Sequence, residues 1–243
     1  MELRGRIALV TGAGHRVGRA IAIALGTRGM RVAVHYNATA DGAHETARLV
    51  EAAGGTASVI GADLMQAEAI DTLIADVATN FGGIDVLVNS AAVMIRTPFG
   101  EITATQWDDI MALNLRAPFL LAQAAAPHLR AAKGVVVNIA DLAAFEAWPA
   151  YLPHSISKSG VVSMTRALAR VMAPDVRVAA IAPGTVLLPE KWDAESAEHL
   201  RASTPLQRNG SPEDVTKTVL FILDSDYLTG ETIIVDGGRH VRH

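Results

Sequence analysis

The stretch Ile7-Ala8-Leu9-Val10-Thr11-Gly12-Ala13-Gly14-His15-Arg16-Val17-Gly18 decides the fold that we expect. Its first four residues are a continuous apolar run, typical of a strand covered on both faces. Glycines follow directly, and Val17, Ile21 and Leu25 then recur every four residues, as on one face of a helix. A strand, a glycine turn and a helix in this order aim free backbone N–H groups and the positive end of a helix dipole at an anion such as a pyrophosphate.

The same rhythm continues along the chain. Further apolar runs of strand length are found at 31–36, 57–60, 84–88, 135–139, 176–181 and 232–235, separated by alanine-rich stretches. This alternation predicts a doubly wound α/β fold with a parallel sheet, of the Rossmann type. Because no linker or internal repeat divides the sequence, we expect residues 1–243 to form a single domain.

Composition excludes several classes of protein. The 243 residues are 50% hydrophobic, carry a net charge of -4 and include no cysteine. Disorder, disulfides, a thiolate nucleophile and cysteine-ligated zinc are therefore excluded, and a nucleic-acid partner is disfavoured. No histidine pair has the spacing of a metal site, so we expect no catalytic metal. Without a secretion signal or an apolar span of about 18 residues, we expect a cytoplasmic protein with no membrane partner.

The end of the second predicted strand bears on the choice between NAD and NADP. An acidic residue there would bind both ribose hydroxyls and repel a 2′-phosphate, but the sequence offers Tyr36, Asn37 and Thr39. Arg16 in the glycine loop is a candidate partner for that phosphate, unless it is only a solvated surface charge. The sequence therefore favours NADP (as NADPH) over NAD.

Six further motifs share one family pattern. They are Asp63-Leu64, Asn89-Ser90-Ala91-Ala92, Asn114, Ser155-Ile156-Ser157-Lys158, Pro183-Gly184 and Asp236-Gly237-Gly238. In this order and spacing, together with the glycine loop, they resemble the short-chain dehydrogenase/reductase family over essentially the whole chain.

The resemblance implies roles for particular residues. Asp63 would contact the adenine, Lys158 would bond the nicotinamide ribose, Val186 would hold the carboxamide through its backbone, and Asn114 would position a water in a proton relay. The resemblance also implies a homotetramer. Together with the glycine loop and the second strand, the expected cofactor contacts are Gly12, Gly14, His15, Arg16, Val17, Gly18, Tyr36, Asn37, Thr39, Asp63, Leu64, Asn89, Ser90, Ala91, Lys158, Pro183, Gly184 and Val186.

Three features make the resemblance more specific, to one branch of the family. Arg16, followed by an aliphatic residue and glycine, is similar to the pteridine reductase branch, and so is His35-Tyr36. That branch reduces C=N bonds of pterins with NADPH. It also has an aspartate where this chain has Asp141 and most of the family has serine.

The main departure from the family is His154, which stands four residues before Lys158 where the catalytic tyrosine is expected. His154 either replaces the tyrosine functionally, or only packs at a helix start after Pro153, or marks a chain that binds a dinucleotide without chemistry. Lys158 and Asp141 act on its charge in opposite directions, so the sequence leaves its protonation open. Tyr151 is an alternative proton donor.

Four aromatic residues are candidates for contact with a small-molecule substrate. Phe145, Trp148 and Tyr151 lie between Asp141 and His154, and Trp192 lies in a later polar segment, although core or surface roles are equally compatible with them. With Asn114, Asp141, His154 and Lys158 as catalytic residues, we expect an NADP(H)-dependent reductase of a C=N bond in a cyclic imine or pterin-like substrate. The alternatives are a ketoreductase or alcohol dehydrogenase with His154 as acid or base, and a non-catalytic dinucleotide sensor.

Overall fold

A computed structural model describes residues 1–146, 148–187 and 193–241. The strands in these residues are β1 (Ile7–Val10), β2 (Arg31–Tyr36), β3 (Thr56–Gly61), β4 (Val86–Asn89), β5 (Val135–Ile139), β6 (Arg177–Pro183) and β7 (Thr232–Val235). The α-helices are α1 (Arg16–Thr27), α2 (Ala40–Ala52), α3 (Ala67–Phe81), α4 (Ala104–Met111), α5 (Ala117–Ala132), α6 (Leu152–Met172), α7 (Ala194–Ser203) and α8 (Pro212–Asp224).

The strands form one parallel sheet in the order β3-β2-β1-β4-β5-β6-β7. The predicted fold is therefore confirmed: a doubly wound sheet that forms a single domain. The chain winds outward from β1 in one direction and from β4 in the other. In such sheets, ligands bind in the crevice beyond the carboxyl ends of the strands where the order reverses, which here lies between β1 and β4.

Two apolar layers cover the sheet. One lies under α1, α2 and α8 and includes Val10, Ile21, Val50 and Val219. The other lies under α3, α5 and α6 and includes Leu9, Leu73, Leu121 and Leu168. Because successive residues of β1 point to opposite layers, the whole strand is buried, as its unbroken apolarity predicted.

Helix α1 follows the predicted stripe. Ile21 and Leu25 are fully buried, and Val17 packs against the same layer. The helix ends at Thr27, and Gly29 adopts a φ of +71°, a conformation that favours glycine. Within the described part of the chain, no helix has both the length and the apolar character needed to cross a bilayer.

Candidate active site

A cavity of about 820 Å³ opens at the carboxyl ends of the strands, at the predicted crevice. The glycine loop, the end of β2, the segment after β4, the start of α6 and the segment after β6 contribute to its wall. Among the predicted site residues, those that line it are Gly12, Gly14, His15, Arg16, Val17, Gly18, Tyr36, Asn37, Thr39, Leu64, Ser90, Ala91, Asp141, Trp148, Tyr151, His154, Lys158, Pro183, Gly184 and Val186.

The predicted residues Asp63, Asn89 and Phe145 do not line this cavity. Asp63 accepts a hydrogen bond from the Met65 backbone, so it shapes the turn after β3, and its neighbour Leu64 reaches the cavity. The Asn89 amide donates to Asn138 in the sheet. Phe145 follows a short 3₁₀ turn that leaves its ring 45% exposed to solvent, away from the cavity wall. Trp192 lies outside the described residues.

The glycine loop makes close backbone contacts. A Cβ atom on Gly12, which has a φ of +63°, would lie 2.9 Å from Ala91 Cα, and one on Gly18 would lie 2.3 Å from the Gly12 carbonyl oxygen. The Thr11 hydroxyl accepts hydrogen bonds from the backbone N–H groups of Ser90 and Ala91. Since His15, the N-cap residue of α1, makes no side-chain capping bond, the N–H groups of the first turn are available, so the loop fits a pyrophosphate.

His35 is a buried polar residue whose role the sequence analysis missed. The Gly12 N–H donates to its Nδ1 at 3.2 Å, and its Nε2–H donates to the Ala62 carbonyl at 3.0 Å. Burial lowers the pKa of this imidazole to about 4, and the bond to Ala62 opposes that shift. A neutral His35 therefore joins the glycine loop to the end of β3. The available signal was a histidine within β2, a strand that is otherwise mostly apolar.

We expect His35 to make the unfolding free energy depend on pH. Because its folded pKa of about 4 lies below the ordinary histidine value of 6.5, the unfolded chain binds the proton more tightly, and stability falls as pH is lowered from about 6.5 to 4. The loss approaches about 3 kcal/mol. Urea denaturation at several pH values should show this loss in the wild type and a flatter profile in His35→Gln. The exposed control His44→Gln should keep the wild-type slope, and a wild-type slope in His35→Gln would contradict the assignment.

Arg19 also organises this end of the cavity, although no sequence motif pointed to it. Its guanidinium donates to the carbonyls of Gly14 and Gly42 and to the Thr46 hydroxyl. These bonds tie the glycine loop to the first turns of α2. The amino end of α2 is thus held beside the loop, with Thr39 as its N-cap residue.

Arg16 takes a different direction from the one expected. Its Nη2 donates to the Leu187 carbonyl at 3.3 Å, so the side chain reaches the segment after β6. Its contact is therefore not with Asn37 or Thr39, which line the cavity near α2. The Thr39 hydroxyl makes no capping bond to α2, which leaves it available to a ligand at that helix end.

Asn114 lies in a π-helical turn, Ala112–Arg116, that joins α4 to α5. It is fully buried and clamps Val93: its Oδ1 accepts from the Val93 N–H and its Nδ2 donates to the Val93 carbonyl, both at 2.9 Å. The same Nδ2 donates to the Ser157 hydroxyl at 3.2 Å. Turns of this kind are frequent at functional sites. Here the turn fixes the backbone beside His154.

Asp141, His154 and Lys158 meet at the base of the cavity. Asp141 Oδ2 lies 3.5 Å from His154 Nε2, while Asp141 Oδ1 accepts from the Ala143 N–H at 2.8 Å. Lys158 Nζ donates to the Ile139 carbonyl at 2.8 Å. Burial lowers the pKa of Lys158 to about 8, and the Asp141 carboxylate opposes that shift. The structure thus brings together three of the four predicted catalytic side chains, with Asn114 behind them.

The outer wall of this region is aromatic. The rings of Trp148 and Tyr151 meet edge to face, 6.3 Å apart, and Trp148 Nε1 donates to Glu146 at 2.9 Å. The turn between them is held by a hydrogen bond from the Thr97 N–H to the Ala150 carbonyl. Both rings line the cavity beside Asp141. In residues 1–146, 148–187 and 193–241, no three His, Asp or Glu side chains are grouped as metal ligands.

Comparison with known proteins agrees with this architecture. A family model described as enoyl-(acyl carrier protein) reductase matches residues 12–240. The 3beta-hydroxysteroid dehydrogenase 1 of Eggerthella lenta is 33% identical over 98% of this chain and 94% of its own. The chain belongs to the short-chain dehydrogenase/reductase family. This short-chain dehydrogenase/reductase is therefore an oxidoreductase, and its family binds NAD(P).

Two other relatives extend the comparison. The 3-oxoacyl-[acyl-carrier-protein] reductase FabG of Staphylococcus aureus is 32% identical over 96% of this short-chain dehydrogenase/reductase and 98% of its own chain. The crystal structure of a protein described as a short-chain alcohol dehydrogenase, from Sinorhizobium meliloti, superposes with a TM-score of 0.93 at 35% identity, covering 100% of this chain and 99% of that one.

Proposed function

We propose that this protein is an NADP(H)-dependent carbonyl reductase, equally able to oxidise the corresponding alcohol, with Asp141 and His154 supplying the proton. The observation that carries the proposal is the contact of these two side chains beside Lys158 in the cavity. The sequence alone favoured a C=N bond. We move to C=O because relatives over nearly the whole chain are named for 3-oxoacyl or hydroxysteroid substrates.

Each part of the cavity has a role in this proposal. A bound nicotinamide supplies the hydride. The glycine loop holds the pyrophosphate, and the Lys158 ammonium faces the ribose end of the cavity. Trp148 and Tyr151 pack against a flat or cyclic small-molecule substrate, whose reacting oxygen lies toward Asp141. The carbonyl oxygen takes its proton from the Asp141–His154 pair.

The preference for NADP rests on the end of β2. The structure brings Asn37 and Thr39 to the cavity wall beside the amino terminus of α2, and that terminus has free N–H groups for a 2′-phosphate. Arg16 is exposed and can leave its weak contact with the Leu187 carbonyl to join them.

We expect Asn37→Asp to reverse this preference. A carboxylate there repels a 2′-phosphate and binds ribose hydroxyls, so the NADPH Kd should rise by about tenfold to a hundredfold while the NADH Kd falls. Titration of protein fluorescence with each cofactor measures both constants. Asn80→Asp, an exposed substitution on α3, is the matched control. Unchanged NADPH affinity in Asn37→Asp would contradict the placement of the phosphate.

The proposed function is tested by following NADPH oxidation with a panel of cyclic ketones, 3-oxoacyl thioesters, cyclic imines and pterins. We expect turnover of at least one carbonyl class and faster reaction with NADPH than with NADH. Turnover of imines or pterins alone would overturn the proposal. Tight NADPH binding without turnover of any member would instead favour the dinucleotide sensor.

Reduction of a C=N bond is the second candidate. The observation in its favour is the Asp141 carboxyl, which is 25% exposed and lines the cavity, where it would stabilise a substrate iminium. This chemistry would fit the similarity of Arg16 to the pteridine reductase branch.

We further propose a homotetramer and no nucleic-acid or membrane partner. Trp107 on α4, Phe119 on α5 and Ile156 on α6 are exposed apolar side chains on neighbouring helices, a surface suited to contact between subunits. Light scattering on the purified protein should give four times the mass of one chain, and a monomer would exclude this assembly.

A further inference from the structure

We propose that Asp141 is the group that transfers the proton to the substrate, and that His154 is a positioning residue that keeps this proton on the pair. The inference rests on the proposed function, because it assigns the final proton donor of that reaction. It follows from the hydrogen bonds around His154 and from the different exposure of the His154 and Asp141 side chains to the cavity.

The hydrogen bonds around His154 determine its tautomer. The Asn114 amide has two hydrogens, and its shortest contacts are the Val93 carbonyl at 2.9 Å and the Ser157 hydroxyl at 3.2 Å. Ser157 gives its own hydrogen to the His154 carbonyl at 2.7 Å, so it accepts from Asn114. Asn114 therefore has no hydrogen left for His154 Nδ1, 3.4 Å away. Nδ1 instead carries a hydrogen and donates it to the Val93 carbonyl at 3.2 Å.

His154 Nε2 faces Asp141 without a hydrogen-bond partner of its own in the described part of the chain. With Nδ1 protonated, a neutral His154 presents the lone pair of Nε2 to Asp141 Oδ2 at 3.5 Å, and Nε2 has no hydrogen-bond partner among the described residues. A lone pair facing a carboxylate is repulsive, and an unsatisfied buried nitrogen is costly. One additional proton, shared by Nε2 and Oδ2, removes both penalties. The pair therefore stores a proton.

The two side chains of the pair differ in their exposure to the cavity. The His154 side chain is 3% exposed and its Nε2 is shielded completely, whereas the Asp141 side chain is 25% exposed. A substrate oxygen entering the cavity therefore reaches the Asp141 carboxyl and not the imidazole nitrogen. The Ala143 N–H fixes Asp141 Oδ1, which leaves Oδ2 to hold the proton between His154 and the substrate.

In the reduction of a ketone, a bound nicotinamide would supply the hydride to the carbonyl carbon, and the carbon–oxygen π pair would move to oxygen. That oxygen forms a bond to the shared proton as the bond from this proton to Asp141 Oδ2 breaks. Asp141 is left as a carboxylate, and His154 is left neutral with Nδ1–H still bonded to Val93. Solvent restores the proton, so one NADPH and one proton are consumed for each alcohol formed.

The first experiment compares the pH dependence of kcat in Asp141→Asn and His154→Asn. We expect Asp141→Asn to lose about a hundredfold in kcat at every pH, because its amide cannot release a proton. His154→Asn should lose activity near neutral pH but recover about tenfold per unit as pH falls, since solvent then protonates Asp141 directly. The exposed substitutions Asp71→Asn and His44→Asn are the matched controls.

These profiles decide between the two residues. Wild-type kcat in Asp141→Asn, or a pH-independent loss in His154→Asn, would overturn the assignment. Cofactor Kd, measured alongside, should stay within about twofold in both variants if the loss belongs to proton transfer and not to cofactor binding.

A second experiment does not depend on turnover. NMR of the free protein with ¹⁵N-labelled histidine should show a hydrogen on His154 Nδ1 and a shared proton at Nε2 that changes in Asp141→Asn. A hydrogen confined to Nε2, with Nδ1 bare, would overturn the stored proton. If no carbonyl compound is turned over, the proposed function fails while this spectrum still decides where the proton lies.

Discussion

Gly18→Ala is expected to lower the free energy of unfolding by about 3 kcal/mol and to abolish measurable NADPH binding at micromolar concentrations. An added Cβ would lie 2.3 Å from the Gly12 carbonyl oxygen, 2.9 Å from the Gly12 carbonyl carbon and 3.1 Å from Ala13 Cα. All three are backbone atoms of the glycine loop, so the clash cannot be relieved by turning a side chain. Helix α1 would have to move away from the loop, and the N–H groups would no longer converge on the anion.

Gly14→Ala is the matched control for this substitution. Its added Cβ would lie 3.4 Å from Ala43 N and from the Thr39 carbonyl oxygen, which is ordinary contact. We therefore expect a stability change below about 1 kcal/mol. Urea denaturation and cofactor titration of both variants give the comparison. Equal stability of Gly18→Ala and Gly14→Ala would show that the tight approach of α1 to the loop is not needed for folding.

The fold could be predicted because its determinants are local in the sequence. The unbroken apolarity of 7–10 reflects burial on both faces of β1, and the stripe of Ile21 and Leu25 reflects one buried face of α1. Gly29 marks the end of that helix through its positive φ. Such patterns depend on neighbours three or four residues away in the sequence, so they can be recognised without any knowledge of tertiary contacts.

The candidate site could be predicted only in part, because hydrogen bonds between distant residues decide its details. The sequence singled out His154 and Asp141 but not their separation or the tautomer, which depends on Asn114 and Ser157. Nor did any local pattern show that His35 receives the Gly12 N–H.

The directions of long side chains were also beyond the sequence. Arg16 was expected to meet a 2′-phosphate, and its guanidinium here reaches the Leu187 carbonyl across the cavity. Phe145 was expected in the substrate wall, yet the 3₁₀ turn after Asp141 carries its ring to the surface. In each case the contact depends on the rotamer or on the local turn.

Lys158→Met should separate catalysis from stability more sharply than any other substitution in this cavity. Its ammonium is buried and faces Asp141, and it donates a hydrogen bond to the carbonyl of Ile139, which also lines the cavity. Removing a preorganised charge of this kind costs catalysis about 10²- to 10³-fold. We expect the loss in kcat/KM to be close to the larger of these factors, about 10³-fold. Lys217→Met, an exposed substitution on α8, should leave kcat/KM unchanged.

The pH dependence of the wild type should report the same ammonium. Burial lowers the pKa of Lys158 from 10.5 to about 8, so its charge is present below about pH 8 and is lost as pH rises further. Wild-type kcat/KM should therefore decline above about pH 8. In Lys158→Met this decline should be absent. A wild-type profile that stays flat from about pH 7 to 9.5 would contradict this assignment.

The stability of Lys158→Met should change in the opposite direction from its activity. Because the folded pKa of about 8 lies below the ordinary lysine value of 10.5, holding the charged lysine in the fold costs about 3 kcal/mol at neutral pH. This cost declines as pH rises from about 8 to 10.5. Methionine fills similar volume without that cost, although the Ile139 carbonyl loses its partner. We expect Lys158→Met to be at least as stable as the wild type at about pH 7 in urea denaturation. A variant less stable by more than about 2 kcal/mol would show that the fold needs the ammonium; a stable but inactive variant would show that catalysis is what retains it.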